Sequence, residues 1–310
     1  TVEVEENVTR YLVFDIGGTN LKYGWFDQTG KLLEKGQVPT VTTGIDPFID
    51  SMKQIIDRYQ GQYAGIAVCA PGKIDAHTKT IYYGGALPFL HRANLQKLLG
   101  DVYHVPISVE NDGKAAALAE AWLGQLKGVA QGAMIVLGTG VGGGLIINGK
   151  LLHGAHFQAG ELSFIDTDAS RDEAESFTGM NASAVQMIMN VNKAMQHPDL
   201  KDGQAAFRAI SAKEPKALTL FNAFCRQIAV MILNLQAVAD MQRIVIGGGI
   251  SQQPIVVSAI QEACQKLYHD NPGIAFTLTL PEIVKAEFSS DANLYGALYA
   301  LKLQQDAAKK

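Results

Sequence analysis

The chain has 310 residues and a formal net charge of −4, with 47% hydrophobic residues and 18% charged ones. Its length allows one large or two ordinary domains, and its composition is that of a soluble globular protein, so a disordered, fibrous or disulfide-stapled chain is excluded. The slightly acidic balance provides no overall positive field for nucleic acid, and we expect no nucleic-acid partner.

The cysteines and the apolar segments predict a cytoplasmic protein. Cys69, Cys225 and Cys264 are far apart and none stands at metal-ligand or redox spacing, so we expect reduced, buried thiols. The acidic first residues lack the basic start and apolar core of a secretory signal. The longest apolar stretch, residues 228–239, is too short to span a bilayer, and we expect no membrane partner.

Apolar runs separated by turn residues predict strands and helices in a mixed order. Three strands open the chain and a helix follows, at residues 11–16, 21–26, 32–38 and 47–59. Two buried strands come next, at residues 64–70 and 106–109. An Ala-rich helix over residues 113–123 would be capped by Asn111 or Asp112. Antiparallel strands followed by alternating helices and strands predict a mixed sheet.

The second half of the chain opens with the same pattern. A run over residues 133–137 is followed by Gly138-Thr139-Gly140 and then by a second run that ends in Asn-Gly. A strand, Gly-Thr, a strand and Gly-Lys-Leu-Leu thus occur twice, about 120 residues apart, which indicates a duplicated hairpin unit. We expect two lobes, residues 1–116 completed by a C-terminal helix over 292–310, and residues 117–291. The other predicted elements are helices at 183–195, 214–239, 254–268 and 292–303 and a strand at 243–246.

Two common phosphate-binding motifs are excluded by their context. Gly138 to Gly143 has the spacing of the dinucleotide-binding motif, but a strand follows it where that motif needs a helix. Residues 144–150 resemble part of a P-loop, but Leu151 stands where Ser or Thr is needed. The two Gly-Thr turns could instead offer backbone N–H groups and a hydroxyl to a polyphosphate, and simple tight hairpins are the alternative.

Six motifs stand in the order seen in ROK-family sugar kinases, and together they span nearly the whole chain. They are Asp15 to Asn20, Ala70-Pro71-Gly72, Glu110 to Ala116, Gly138 to Gly144, Ala159-Gly160-Glu161 and Ile246 to Ile250. The chain resembles that family, which implies an α/β fold of two lobes with mixed sheets, the actin-like, ribonuclease H-like fold of hexokinase and Hsp70. The resemblance also implies a homodimer.

The resemblance implies a role for each matching residue. Asp112 matches the catalytic base, and Asp15 matches the partner of Mg²⁺. The implied sugar ligands are Asn111, Glu161 and Glu175. The implied ATP contacts are Gly17, Gly18, Thr19, Asn20, Gly138, Thr139, Gly140, Gly248 and Gly249. ATP and Mg²⁺ are therefore the expected cofactors, as phosphoryl transfer to a sugar hydroxyl requires a base and charge stabilisation.

The chain departs from the family pattern after Gly160-Glu161. Most members have a His three residues after this Glu and then a Cys-rich motif, which together bind a structural zinc. Phe164 stands at the His position and residues 165–175 contain no Cys, so we expect no structural zinc. The nearby polar side chains are expected to lie on the surface: His153, His156, Asp166 and Asp168.

Phe164 also bears on the substrate, because the family His contacts the sugar near its anomeric end. Phe164 cannot make that polar contact, and it would either line the pocket or fill the core. We expect phosphorylation of a hexose-type sugar at its 6-hydroxyl, with a β-glucoside favoured; a glucokinase or an N-acetylmannosamine or fructose kinase is the alternative. A sugar-responsive regulator without activity is disfavoured by Asp112 and by the roughly 14 residues before Asp15, too few for a helix-turn-helix domain.

Overall fold

The computed structural model describes residues 8–168, 170 and 174–309, and the chain divides into two compact units. The first unit contains the residues up to Trp122, the segment His153–Ala159 and the residues from Asp291 onward. The second contains Leu123–Leu152 and Gly160–Ser290. The lobe boundaries given above, at residues 116 and 292, stay a prediction.

Strands and helices alternate along the described ranges. The strands are β1 (Arg10–Ile16), β2 (Asn20–Asp27), β3 (Leu32–Pro39), β4 (Ile66–Ala70), β5 (Lys73–Asp75), β6 (Thr80–Tyr83), β7 (Ala93–Asn94), β8 (Ile107–Asn111), β9 (Gln131–Leu137), β10 (Val141–Ile147), β11 (Lys150–Leu151), β12 (Arg243–Gly247) and β13 (Glu282–Lys285). The α-helices are α1 (Ile45–Arg58), α2 (Asp101–Tyr103), α3 (Asp112–Leu123), α4 (Thr178–Asn181), α5 (Ala184–Ala194), α6 (Gly203–Ser211), α7 (Pro215–Ala239), α8 (Pro254–His269), α9 (Pro272–Thr277) and α10 (Ala292–Ala308). Each strand and helix predicted from the sequence is present, with its ends shifted by a few residues.

The two units are built on sheets with the same strand order. In the first unit the order is β3-β2-β1-β4-β8, and in the second it is β11-β10-β9-β12-β13. Each sheet starts with an antiparallel meander and continues with two strands parallel to the first strand of the meander. Asn148 and Gly149 both have positive φ, 52° and 73°, as a two-residue hairpin turn requires. The duplication predicted from the hairpin motif therefore extends to the whole sheet.

The first sheet is buried on both faces because successive residues of β1 enter different cores. Leu12 and Phe14 pack with the apolar face of α1. Val13 packs with Leu298 of α10, on the opposite face. A Cβ on Gly296 would lie 1.7 Å from the Ala115 carbonyl oxygen, so this glycine allows α10 to lie against α3. The C-terminal helix thus completes the first unit.

The core of the second unit lies between its sheet and α7. Side chains such as Ile135 of β9 and Ile232 of α7 are fully buried in it. The helix Pro215–Ala239 has 25 residues and is apolar enough to cross a membrane by length and composition, a test that core helices of soluble proteins also pass. The expectation that no apolar stretch is long enough for a membrane was therefore wrong, because the apolar segment begins before residue 228.

Several short elements were not predicted. A small sheet of order β5-β6-β7 has strands of two to four residues, too short to show an alternating pattern. The helices α4, α6 and α9 and the strand β13 were also missed. Cys69, Cys225 and Cys264 are free and buried, as expected.

Candidate functional site

Asp15 stands at the carboxyl end of β1, in a row of side chains that crosses the first sheet. Its register partners are Lys22 on β2 and Cys69 on β4, and Cys69 is in turn paired with Glu110 on β8. Asn293 donates a hydrogen bond from Nδ2 to Asp15 Oδ1 over 3.2 Å. The Asp15 side chain is largely buried, and this desolvation raises its pKa, while the Asn293 hydrogen bond and the Lys22 charge act in the opposite direction.

The turn after Asp15 offers backbone groups to solvent. Gly17 donates its N–H to the Asn20 carbonyl over 3.0 Å, and a Cβ on Gly17 would lie 2.8 Å from the same oxygen. The Thr40 hydroxyl donates to the Gly17 carbonyl over 2.7 Å. Gly18 and Thr19 are exposed at the tip. The turn is therefore rigid at its base and open at its tip, the arrangement needed to bind a phosphate group.

Asn111 connects the end of β8 with the start of α3. Its Nδ2 donates to the Gly72 carbonyl over 2.8 Å, and its Oδ1 accepts the Lys114 N–H over 3.2 Å. Of the two capping candidates, Asn111 therefore caps α3. Gly72 has φ of +90°, and a Cβ there would lie 1.4 Å from the Tyr83 carbonyl oxygen, so only glycine allows this close approach.

Asp112 is the first residue of α3, and its side chain is accessible to solvent. Its Oδ1 accepts the N–H of Gly113 over 2.8 Å. Desolvation by the surrounding protein raises the pKa of Asp112, although the hydrogen bonds from Gly113 and Asn111 favour its ionised form. The charge of Asp112 also raises the pKa of Asp15, so the two carboxylates interact. The first unit thus brings together Asp15, Asn111 and Asp112.

The matching turn of the second unit lies between β9 and β10. Gly138 donates its N–H to the Gly140 carbonyl over 3.1 Å, and Thr139 is exposed at the tip. Ser163 Oγ accepts the Val141 N–H over 2.9 Å and is 3.1 Å from the Val141 carbonyl oxygen, to which it donates. Ser163 was not assigned a role from the sequence, since only its contact with a turn 22 residues away reveals one.

The end of β12 lies directly against the end of β9. Gly248 has φ of +94°, and a Cβ there would lie 2.1 Å from the Leu137 carbonyl oxygen. Gly249 begins a short 3₁₀ segment, Gly249–Gln252, and has open space where a Cβ would stand. The second unit therefore brings the Gly138 turn and the Gly248-Gly249 pair together.

Glu161, Phe164 and Glu175 lie on two segments that are hydrogen-bonded to each other. Thr178 donates its N–H to the Ile165 carbonyl over 2.9 Å, and the Thr178 hydroxyl donates to the Leu162 carbonyl. Glu161 and Glu175 are exposed. Phe164 is 73% exposed, so the interpretation of this residue as core filling is wrong.

Phe164 shares its exposure with Phe177 and Met180, which are 38% and 45% exposed. Because the Ile165 carbonyl accepts from Thr178, Phe164 and Phe177 each precede a residue of this cross-link. We call these three side chains the Phe164 patch. Exposed apolar side chains that lie close together are more informative than scattered ones, because they mark sites for apolar ligands or partners.

The expected zinc-free state stays a prediction. In residues 8–168, 170 and 174–309, no group of three or more His, Cys, Asp and Glu side chains is placed to hold a metal ion. His153, expected to be a plain surface residue, instead contacts the carboxylate of Glu110, with Nε2 2.7 Å from Oε2. The spacing of 43 residues between them gives no local signal in the sequence.

Comparison with known proteins agrees with this arrangement. Residues 11–304 match the model of the ROK family. The β-glucoside kinase of Klebsiella pneumoniae is 30% identical over 290 residues, covering 92% of this chain and 94% of that protein. The β-glucoside kinase of Listeria innocua is 29% identical over 289 residues, covering 92% and 95%. A ROK family protein of Streptococcus pneumoniae, solved with sucrose, has a TM-score of 0.88 at 27% identity, covering 96% of this chain and all of that one. The predicted α/β actin-like kinase fold is confirmed, and the chain belongs to the ROK family as a sugar kinase that phosphorylates hexose-type sugars.

Proposed function

We propose that this sugar kinase uses ATP and Mg²⁺ to phosphorylate the 6-hydroxyl of a β-glucoside, with Asp112 as the general base. The exposed Phe164 patch is the observation that carries the choice of a β-glucoside. The position and the electrostatics of Asp112 support its role in the reaction.

Asp112 has the properties that a base for this reaction needs. A carboxylate takes the proton of the sugar hydroxyl as the oxygen attacks the γ-phosphorus, and the bond from that phosphorus to the leaving ADP oxygen breaks. The raised pKa of Asp112 makes it a stronger base than an ordinary aspartate. Because Asn111 caps the same helix and is anchored to Gly72, the backbone that carries Asp112 is held in place.

The nucleotide groups are assigned to the glycine turns and to Asp15. The exposed tips at Gly18-Thr19 and at Thr139 offer N–H and hydroxyl donors to phosphate oxygens. Gly248 and Gly249 would lie beside the adenosine. Asp15 would hold Mg²⁺ or its bound water, and the raised pKa of this buried carboxyl fits a site that gains a cation. Mg²⁺ supplies charge neutralisation at the phosphates.

The sugar is assigned to Asn111, Glu161 and Glu175, and its aglycone to the Phe164 patch. Aromatic rings bind apolar groups and the faces of sugar rings through dispersion and burial of apolar area. A polar side chain at position 164 would favour a free anomeric hydroxyl, whereas Phe164 imposes no such requirement. The names of the two β-glucoside kinases and the sucrose bound to the Streptococcus pneumoniae protein support this assignment.

A comparison of sugars tests the proposed substrate. With ATP and Mg²⁺, we expect kcat/KM for cellobiose, gentiobiose and an aryl β-glucoside to equal or exceed that for glucose. Strong preference for glucose with inert glycosides would contradict the β-glucoside assignment and would favour a glucokinase.

The variant Phe164→Ala tests the role of the patch directly. We expect kcat/KM for the aryl β-glucoside to fall about fivefold to twentyfold, because an aromatic contact contributes about 1–2 kcal/mol, while the value for glucose changes little. Phe276→Ala is the matched control, since Phe276 is 94% exposed on α9 and has no proposed role. Equal losses for the glycoside and for glucose would contradict an aglycone contact.

The family resemblance also supports a cytoplasmic homodimer. Sedimentation of the purified protein at micromolar concentration distinguishes a dimer of about 67 kDa from the 33.3 kDa chain.

A further inference from the structure

A small closed loop, residues 153–159, belongs to the first unit, although the residues on either side of it belong to the second. Ala159 donates its N–H to the His153 carbonyl over 3.1 Å, which closes the loop. Gly154 has φ of +78° and provides the turn next to His153. The His153 ring is therefore held by a short, closed segment.

The partner of this ring is a buried carboxylate. His153 Nε2 lies 2.7 Å from Glu110 Oε2, and the Glu110 side chain is only 4% exposed, against 35% for His153. A carboxylate removed from water is destabilised unless hydrogen bonds or an opposite charge compensate it. His153 provides one of these compensating contacts.

The other oxygen of the same carboxylate supports the residues of the proposed site. Glu110 Oε1 accepts the backbone N–H of Asn111 over 2.9 Å. Asn111 in turn caps α3 through Lys114 and reaches the Gly72 carbonyl. Asp112 is the next residue. A continuous series of contacts thus leads from the His153 ring to the backbone that carries Asn111 and Asp112.

A second aromatic contact holds the loop against the first unit. The Phe157 ring lies between His77 and His153, with centroid distances of 5.4 Å and 6.1 Å. Phe157 has φ of +57°, a conformation that is unfavourable for a bulky side chain. Such a conformation persists only where surrounding contacts enforce it, and it is concentrated at functional sites.

We propose that His153 is a positioning residue for Asn111 and Asp112, acting through the buried Glu110 carboxylate. The inference rests on the proposed role of Asp112 as the base. His153 does not contact the reacting atoms in this proposal. It holds Glu110, and Glu110 holds the Asn111 backbone in the orientation needed for turnover.

Substitution of His153 provides the first test. We expect His153→Ala to lower kcat about 10- to 100-fold, the range for a lost supporting contact, with KM for ATP changed less than threefold. His153→Gln should recover most of the loss, because its amide N–H can still donate to Glu110. His156→Ala is the matched control in the same loop, and it should leave kcat unchanged. A normal kcat in His153→Ala, or an equal loss in His153→Gln, would overturn the proposal.

A double-mutant cycle with Glu110→Gln tests whether the effect passes through Glu110. The amide keeps an acceptor for the Asn111 N–H but carries no charge, so adding His153→Ala should cost much less in this background than in the wild type. Additive losses would overturn the proposal. Thermal unfolding of each variant identifies any that fails to fold, in which case the comparison of His153→Gln with Glu110→Gln carries the test.

The variant Asp112→Asn separates the two proposals. If it keeps activity, the base assignment itself is wrong. If it is inactive while the cycle is additive, only the positioning role of His153 is wrong.

Discussion

Asp112 combines solvent access with incomplete solvation, and these two properties together suit a base. The side chain must be accessible to meet a substrate hydroxyl, yet desolvation raises its pKa and so increases its affinity for the proton. The ionised form is the active one, so activity is lost as the pH falls through the pKa of Asp112. Because that pKa is raised, we place the acid limb of the kcat/KM profile above the pH expected for an ordinary aspartate.

We expect Asp112→Asn to lower kcat by about 10²- to 10⁴-fold, because the amide keeps the shape of the side chain but cannot accept the proton. Sugar binding should persist. Steady-state kinetics with a sugar titration by calorimetry checks both expectations. A kcat within threefold of the wild type would remove Asp112 from the role of base.

Among the elements, the hairpin turns were predictable and the contacts that support them were not. Gly17-Gly18 and Gly138-Thr139-Gly140 follow apolar runs, and such local patterns predict a strand and a turn directly. Ser163 holds the second turn from 22 residues away, and no local pattern reports that contact. The strands of the β5-β6-β7 sheet also carry too few residues to show a period. What escaped the sequence was long-range or very short.

Gly248 offers a test of the glycine pair at the end of β12. In Gly248→Ala the new Cβ would meet the Leu137 carbonyl at 2.1 Å in a backbone conformation of φ +94°. We expect a loss of about 1–3 kcal/mol in the free energy of unfolding and a raised KM for ATP, because the strand ends must separate. Urea denaturation and ATP kinetics measure the two effects.

Gly249→Ala is the matched control, since its Cβ would meet open space. Its free energy of unfolding should stay within about 0.5 kcal/mol of the wild type. Equal stability of the two variants would show that the close approach at Gly248 does not constrain the fold.

For the whole molecule, the duplicated sheet explains why the functional residues are predictable as two sets. Each sheet places a Gly-rich turn after its first strand, and the parallel strands of each sheet end at further site residues: Asn111 in the first unit and Gly247 in the second. Ends of parallel strands meet at one edge of a sheet, where ligands commonly bind. The sequence motifs therefore identified the edges, while the His153–Glu110 contact depended on the folding of a distant loop onto β8.

The absence of the family's Cys-rich motif leads to a prediction about the whole protein. Where relatives would use zinc to hold the segment after Gly160-Glu161, this chain joins residues 162–167 to residues 174–181 by hydrogen bonds, among them Thr178 N–H to the Ile165 carbonyl and Asn181 Nδ2 to Thr167 Oγ1 over 2.8 Å. We therefore expect no stoichiometric zinc by elemental analysis. We also expect unchanged unfolding temperature and activity after treatment with a zinc-selective chelator in excess Mg²⁺, because a structural zinc would contribute to folding stability. About one tightly held zinc per chain, with unfolding on its removal, would show that His or carboxylate side chains have rebuilt a site here.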